Sequence, residues 1–168
     1  GIALKKEDNA ELICDCSDLS EIIVIHKDGK YVVTKVSEKA FFGKDILYVG
    51  LFDRNDQRTI YNVIYREGKT SLSYAKRFAV TSVTRDKQYD ITQGTPGSEI
   101  LWFTVNHNGE AETVKIYFRQ KSKLKKLIDE YDFSQLLIKG RASRGNLVSK
   151  NQIQKIQLKS KGVSTIGG

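Results

Sequence analysis

The chain of 168 residues lacks the features on which several protein classes depend. It has no methionine and one proline, and its two cysteines, Cys14 and Cys16, are too few and too close together for a disulfide framework. No apolar run approaches the ~20 residues that span a bilayer, and residues 1–10 do not resemble a secretory signal. We therefore expect a soluble cytoplasmic domain with no membrane association. The start at Gly1, with no methionine anywhere, further suggests a piece of a longer protein.

Motifs for catalysis and metal binding are missing as well. The sequence contains no Walker A loop, no G-x-S-x-G and no H-E-x-x-H. Cys14 and Cys16 have no second cysteine pair or histidine at metal-ligand spacing, and alternate positions on one strand face explain them better. The two histidines, His26 and His107, fall in separate predicted turns. We expect this chain to be non-catalytic by itself, with no metal and no cofactor.

The residues that are abundant favour strands. Valine, isoleucine and threonine number 12, 16 and 10, against only 7 alanines, and β-branched side chains suit a pleated sheet whereas alanine suits a helix. With one proline and 13 glycines, glycine must make most of the turns. The composition predicts an all-β protein.

Three similar hairpins recur along the chain. Residues 22–33, 60–70 and 101–111 each place a glycine turn between apolar runs, at Asp28-Gly29, Glu67-Gly68 and Asn108-Gly109. A weaker fourth match covers residues 137–148, around Gly145. Spacings near 40 residues predict a propeller-like array of small sheets, or blades, that share their cores. The approximate units are 20–56, 57–97, 98–135 and 136–162.

Residues 119–131 have an ambiguous pattern. Leu124, Leu127 and Ile128 stand at helical spacing, and two lysines precede carboxylates by four residues. The repeat, however, requires strands at this point. We favour strands here and leave the helix as the alternative.

The formal charge of +8 is concentrated in the last third of the chain. Residues 1–114 carry 15 basic and 17 acidic side chains (net −2), whereas residues 115–168 carry 13 and 3 (net +10). Such asymmetry is typical of a surface for nucleic acid or another polyanion.

The basic residues of this region fall into three groups. Lys121, Lys123 and Lys125 alternate, which on a strand places all three on one side. The second group surrounds small residues that let a phosphate approach the main chain: Lys139, Arg141, Arg144 and Lys150. In the third group, Lys155 and Lys159 are predicted on the outer face of a strand whose other face carries Ile156 and Leu158.

The pattern favours duplex DNA over single strands, because the nearby aromatics, Tyr117, Phe118, Tyr131 and Phe133, are expected in the core rather than stacked on bases. The primary candidates for DNA contact are Lys139, Arg141, Arg144, Lys150, Lys155 and Lys159, followed by Lys121, Lys123 and Lys125. Lys76 and Arg77 are weaker candidates. The alternative is a protein-interaction module whose basic face docks an acidic partner.

The segment Gly-Arg-Ala-Ser-Arg-Gly-Asn-Leu-Val at residues 140–148, together with the 40-residue hairpin repeat, resembles the C-terminal domain of the A subunit of bacterial type IIA topoisomerases. Residues 74–78, Tyr-Ala-Lys-Arg-Phe, resemble an inner segment of an earlier blade in that family. The gyrase-specific box Gln-Arg-Arg-Gly-Gly-Lys-Gly is absent. The resemblance is therefore closer to topoisomerase IV than to gyrase.

This resemblance implies a β-pinwheel, in which neighbouring blades exchange strands and a basic outer rim binds and bends duplex DNA. It implies a role in guiding the transported DNA segment, with the cleavage tyrosine, metal-binding carboxylates and ATP site located elsewhere. The partners implied are duplex DNA, the ATPase subunit, and the catalytic core of the polypeptide that bears this domain, in the bacterial cytoplasm at the nucleoid. Three clear units and part of a fourth, where the family usually has five or six, predict a partial disc.

Overall fold

The computed structural model describes residues 2–5, 10–14, 20–36, 39–43, 45–121 and 123–167, with side chains described from residue 20 onward except for 39–43. These residues form strands and connecting turns, with one short 3₁₀ turn at Phe133–Gln135 and no α-helix within the described ranges. The strands are β1 (Ile2–Lys5), β2 (Ala10–Cys14), β3 (Glu21–His26), β4 (Lys30–Lys35), β5 (Lys39–Gly43), β6 (Ile46–Phe52), β7 (Ile60–Arg66), β8 (Ser73–Phe78), β9 (Gln88–Asp90), β10 (Glu99–Asn106), β11 (Thr113–Phe118), β12 (Ile128–Asp132), β13 (Asn146–Ser149) and β14 (Ile153–Ser160).

The chain divides into two compact units, and each is built from two antiparallel sheets. The first unit comprises residues 1–55 and 82–94, and the second comprises residues 56–81 and 95–168. The first contains a three-stranded sheet, β1-β2-β5, and a four-stranded sheet, β6-β3-β4-β9, which we call sheet I. The second contains sheet II, β10-β7-β8-β13, and sheet III, β12-β11-β14.

Sheets I and II follow the same plan. Each has a central hairpin, β3-β4 or β7-β8, whose first strand pairs with a later strand, β6 or β10. The outer partner of the second hairpin strand is a short strand supplied from further along the chain, β9 in sheet I and β13 in sheet II. β9 lies in sequence between two strands of sheet II yet pairs in sheet I, and β13 lies between two strands of sheet III yet pairs in sheet II, so each of these two sheets is completed by an exchanged strand. The fold is all-β, as predicted, and this arrangement is consistent with a β-pinwheel.

The cores lie against the central hairpins. In sheet I the β3 residues Glu21 to Ile25 are all buried, so both faces of this strand are covered. In the second unit, sheets II and III share a core containing Ile64, Ala75, Val114 and Ile116. Strand β11 alternates between buried and half-buried positions, which gives sheet III one apolar and one polar face.

Two of the three predicted hairpins form. The Asp28-Gly29 turn joins β3 to β4, and Gly29 adopts the positive φ of 94° that such turns require. The second hairpin joins β7 to β8 through a longer turn, residues 67–72, in which Glu67 Oε2 accepts hydrogen bonds from both the amide and the hydroxyl of Thr70.

The third predicted hairpin is wrong. Gly109 does turn the chain, with φ of 63°, but β10 pairs with β7 in sheet II whereas β11 pairs with β12 and β14 in sheet III. The two strands beside this turn therefore enter different sheets. Pairing with partners distant in sequence has prevailed over the local turn signal.

The structure also answers the question of residues 119–131. Ile128–Asp132 forms β12, so the strand interpretation holds for the last part of the segment. The described residues of 119–127 form neither helix nor strand, because they make the loop that connects β11 to β12. The amide of Phe118 donates to the carbonyl of Leu127 at 2.8 Å and closes this loop.

Candidate nucleic-acid interface

The second unit presents the cations of the last third of the chain to solvent. Within residues 119–161, every lysine and arginine is exposed except Arg141, which is partly exposed. Lys121, Lys123 and Lys125 lie in the β11–β12 loop, and Lys150 lies in the turn after β13. The amide of Arg119 donates to the carbonyl of Gln152 at 2.9 Å, which brings the β11–β12 loop beside that turn.

Residues 140–145 form a loop, which we call the basic loop, that is fixed from beneath by the β7-β8 hairpin. The Lys76 Nζ donates to the carbonyls of Arg141 and Ser143 at 2.8 and 2.7 Å. The Tyr65 hydroxyl donates to the carbonyl of Arg144 at 2.6 Å. Three carbonyls of the loop are thus bonded to side chains of sheet II.

Gly145 ends the basic loop where it meets β8. Its φ is +93°, and a Cβ placed there would overlap the carbonyl oxygen of Ala75. Only glycine fits this conformation and this close approach without displacing β8. Gly140, at the other end of the loop, has open space around it.

The basic loop carries two guanidinium groups, on Arg141 and Arg144. Arg144 lies over the ring of Tyr74 at 5.2 Å and remains exposed. Arg141 donates from Nε to the carbonyl of Thr81 at 3.1 Å. A guanidinium held by a ring or a carbonyl keeps donors and charge available for a phosphate.

Strand β14 carries the third group of candidates, and one of them is already paired. Lys155 and Lys159 are exposed, as predicted, and Lys155 lies over the Tyr117 ring at 4.6 Å. Lys159 Nζ, however, is 2.8 Å from Glu130 Oε2 on β12. Leu158, expected on the buried face, is 46% exposed.

The prediction that Lys121, Lys123 and Lys125 lie on one side of a strand is wrong. These lysines are exposed, but their segment is the irregular β11–β12 loop, so strand alternation does not orient them. The repeat pattern predicted a strand here, but these residues form the connection between the antiparallel strands β11 and β12.

Lys76 and Arg77, the weaker candidates, are buried to 1% and 2% exposure, so we remove them from the proposed DNA-contacting set. Arg77 donates to Asn62 Oδ1 at 2.8 Å and to the carbonyl of Gly109 at 2.9 Å. Burial, and secondarily Arg141, lowers the pKa of Lys76 to about 8. The resemblance of residues 74–78 to an inner blade segment could have warned of this, and all six residues of β8 are buried in the structure.

Sequence reasoning also missed a charged cluster in the first unit. Glu21, 9% exposed, accepts hydrogen bonds from Arg54 at 2.6 and 2.9 Å and from Arg85 at 2.9 Å. The hydrogen bond from Arg54 lowers the pKa of Glu21, with Arg85 adding to the effect. The three residues are far apart in sequence, so no local motif signals the cluster.

The described residues contain no group of three or more histidine, cysteine, aspartate or glutamate side chains arranged for a metal ion. His26 ends β3, and His107 begins the turn after β10. Cys14 ends β2, and Cys16 lies outside the described residues. In the described part of the chain, no helix has the length and apolar character needed to cross a membrane.

The sheets are antiparallel and contain exchanged strands, and a cation-rich loop is fixed on an inner hairpin. These features define the class of the protein, which is a β-pinwheel-like repeat domain. Comparison with known proteins then identifies the family. A sequence model of the topoisomerase C-terminal domain of Bacteroidota matches residues 1–161. The chain belongs to this family.

A curated relative agrees with this assignment. The chain is 24% identical over 152 residues to the A subunit of DNA topoisomerase 4 from Borreliella burgdorferi, an alignment that covers 90% of this chain. The same alignment covers 22% of the relative, so the chain corresponds to about a fifth of that protein's length.

Proposed function

We propose that this chain is a non-catalytic, DNA-binding domain of a topoisomerase IV A subunit, which binds and bends duplex DNA to guide the transported segment. Its partners are then duplex DNA, the ATPase subunit, and the catalytic core of the polypeptide that bears the domain, in the bacterial cytoplasm. Membership in the topoisomerase C-terminal domain family supports the proposal, as does the similarity to a protein named as the A subunit of DNA topoisomerase 4.

The observation that carries the DNA-binding part is the basic loop. Arg141 and Arg144 contact a carbonyl and an aromatic ring, and the loop that bears them is fixed by hydrogen bonds to Lys76 and Tyr65. A fixed loop loses little conformational freedom when it binds, which favours affinity. Exposed lysines on β14 and in the neighbouring loops add charge that attracts a polyanion.

Phosphate contacts of this type predict a strong dependence on salt. With Z phosphates neutralised, the logarithm of the association constant falls against the logarithm of salt concentration with a slope of about −0.9Z for duplex DNA. The contacts carry no base-specific hydrogen bonds, so we expect little sequence preference. The proposed contact residues are Lys139, Arg141, Arg144, Lys150, Lys155 and Lys159, with Lys121, Lys123 and Lys125 second.

The first prediction tests this assignment with a triple charge reversal. Arg141→Glu, Arg144→Glu and Lys155→Glu together should remove most of the affinity for a linear duplex, measured by fluorescence anisotropy at several salt concentrations. The matched control reverses three exposed lysines of the first unit, Lys27, Lys35 and Lys87, and so changes the net charge equally.

If both triple variants bind duplex DNA like the parent, the interface assignment is wrong. An equal loss in both would indicate that only net charge matters, which also contradicts a localised interface.

A further inference from the structure

Lys76 stands out among the charged residues because it is buried and yet bonded to the loop proposed to meet DNA. Its side chain rises from β8 between Ala75 and Arg77, and it is 1% exposed. Its ammonium lies 4.7 Å from the centre of the Phe78 ring. The cost of burying a charge is offset here by two main-chain carbonyls and an aromatic face.

The two carbonyls belong to alternate residues of the basic loop. The ammonium therefore fixes the orientation of two peptide groups in the loop. A trans peptide is planar, and the N–H of each residue points opposite to the preceding C=O. No peptide bond described in the chain is cis. Since the carbonyls of Arg141 and Ser143 point toward Nζ, the amides of Ala142 and Arg144 point away from it.

We infer that Lys76 is a positioning residue for the basic loop: its ammonium draws two carbonyls inward and thereby presents the Ala142 and Arg144 amides, with the Arg141 and Arg144 guanidinium groups, to a DNA phosphate. This inference rests on the proposed function. Amides and guanidinium groups directed to one side are an established means of binding phosphate oxygens. Lys76 itself does not touch the DNA, because it is buried.

The same position in sheet I shows that the fold does not require a lysine there. Tyr31 and Tyr74 are equivalent, since each pairs with the hairpin's first strand and with the exchanged strand. Two residues later stand Val33 in sheet I and Lys76 in sheet II, and Val33 is fully buried. A valine at this position is therefore compatible with the sheet. The presence of a lysine in sheet II is accounted for by the hydrogen bonds between its ammonium and the basic loop.

The decisive experiment is a double-mutant cycle on duplex binding by the full chain. Lys76→Met keeps the apolar stem and removes the ammonium, and Arg141→Met with Arg144→Met removes the guanidinium groups it positions. At about 0.1 M salt, one phosphate contact is worth about eightfold in affinity, from the slope of about 0.9 per contact. We expect K76M to lose about eightfold and to lower the salt slope by about 0.9. Lys69→Met, which removes an exposed charge from the β7–β8 turn, should lose much less.

The inference requires non-additivity. In the background that already lacks both guanidinium groups, K76M should cost clearly less than eightfold, because only the Ala142 and Arg144 amides are left for it to position. The full eightfold loss in that background would overturn the inference, since Lys76 would then act independently of the guanidinium groups that it is inferred to position. A parent that fails to bind duplex DNA would overturn the proposed function as well, so the two failures are distinguishable.

A pH profile gives a second readout that does not need a Lys76 variant to fold. Burial and Arg141 lower the pKa of Lys76 to about 8, so it loses its charge between about pH 7 and pH 9. The other charged or titratable groups around the loop include Arg141, Arg144, Arg77, Lys139, Tyr65 and Tyr74. Arginine keeps its charge in this range, burial raises the pKa of Tyr65 to about 12, and Lys139 and Tyr74 are present in both proteins of the comparison. The parent should lose affinity across this interval more steeply than the R141M/R144M variant. Equal profiles would contradict the inference.

Discussion

Sheets I and II share one strand plan but hold the loop before their exchanged strand by opposite means. In sheet I, Arg85 of that loop is bonded to Glu21, which also binds Arg54. In sheet II the loop is fixed by Lys76 and Tyr65 through main-chain carbonyls, while Arg144 contacts only an aromatic ring among its described partners. In sheet I the loop arginine is thus held in an ion pair, whereas in sheet II the Arg144 guanidinium is exposed over an aromatic ring.

The central hairpins of the two sheets differ in the polarity of the cross-strand pair below the loop. In sheet I the cross-strand pair below the loop is Ile22 with Thr34, whereas in sheet II the equivalent pair is Asn62 with Arg77. Glu112 joins the sheet II network, accepting from Asn62, from Trp102 at 3.1 Å and from Thr104 at 2.5 Å. Sheet II is therefore built on a buried polar network, which is costly unless every member is satisfied.

The largest expected effect comes from breaking that network. Arg77→Met leaves Asn62 Oδ1 without this donor and the buried Glu112 without its nearby cation, and should lower the free energy of unfolding by roughly 3–5 kcal/mol. The matched control is Thr34→Val at the equivalent position, where one hydroxyl bond to Asp86 is lost, at a cost of about 1 kcal/mol. Urea unfolding of both variants measures the difference. Similar urea midpoints for the two variants would contradict the proposed difference between the two hairpins.

A smaller effect is expected at the two ends of the basic loop. Gly145→Ala places a Cβ against the Ala75 carbonyl at a positive φ, and should cost roughly 1–3 kcal/mol of stability. Gly140→Ala meets open space and should stay within about 0.5 kcal/mol of the parent. Thermal unfolding distinguishes the two, and an equal response would refute the close approach of the loop to β8.

The sequence was informative where the signal is local. The β-branched composition, the Asp28-Gly29 hairpin and the concentration of charge after residue 115 can be recognised without knowing which distant residues pair, and each is matched by the structure. The exchanged strands were suggested only by the resemblance, because β9 and β13 are three and four residues long and pair across more than 50 positions. Short strands have too little pattern to be recognised, and distant partners cannot be chosen by local spacing.

The same limit explains the errors at the site. Lys76 and Arg77 are basic, and composition alone cannot separate a buried cation with satisfied bonds from an exposed one. The resemblance at residues 74–78 placed them on an inner segment, yet several of their partners lie on the basic loop and at Gly109, more than 30 positions away. Which lysine contacts DNA and which one positions the loop depends on those distant contacts.

The smallest expected effect concerns the ion pairs that Glu21 forms in sheet I. Glu21→Gln removes the charge that holds Arg54 and Arg85, and because both arginines are largely exposed the loss of stability should be at most about 1 kcal/mol. Since the arginines lower the pKa of Glu21 below its usual 4.5, the parent holds this contribution above that pH and loses it as the pH falls further. The difference between parent and variant should therefore shrink in acid. Urea unfolding of parent and variant at several pH values measures this difference, and a difference that stays constant in acid would mean that the Glu21 charge does not hold the two arginines.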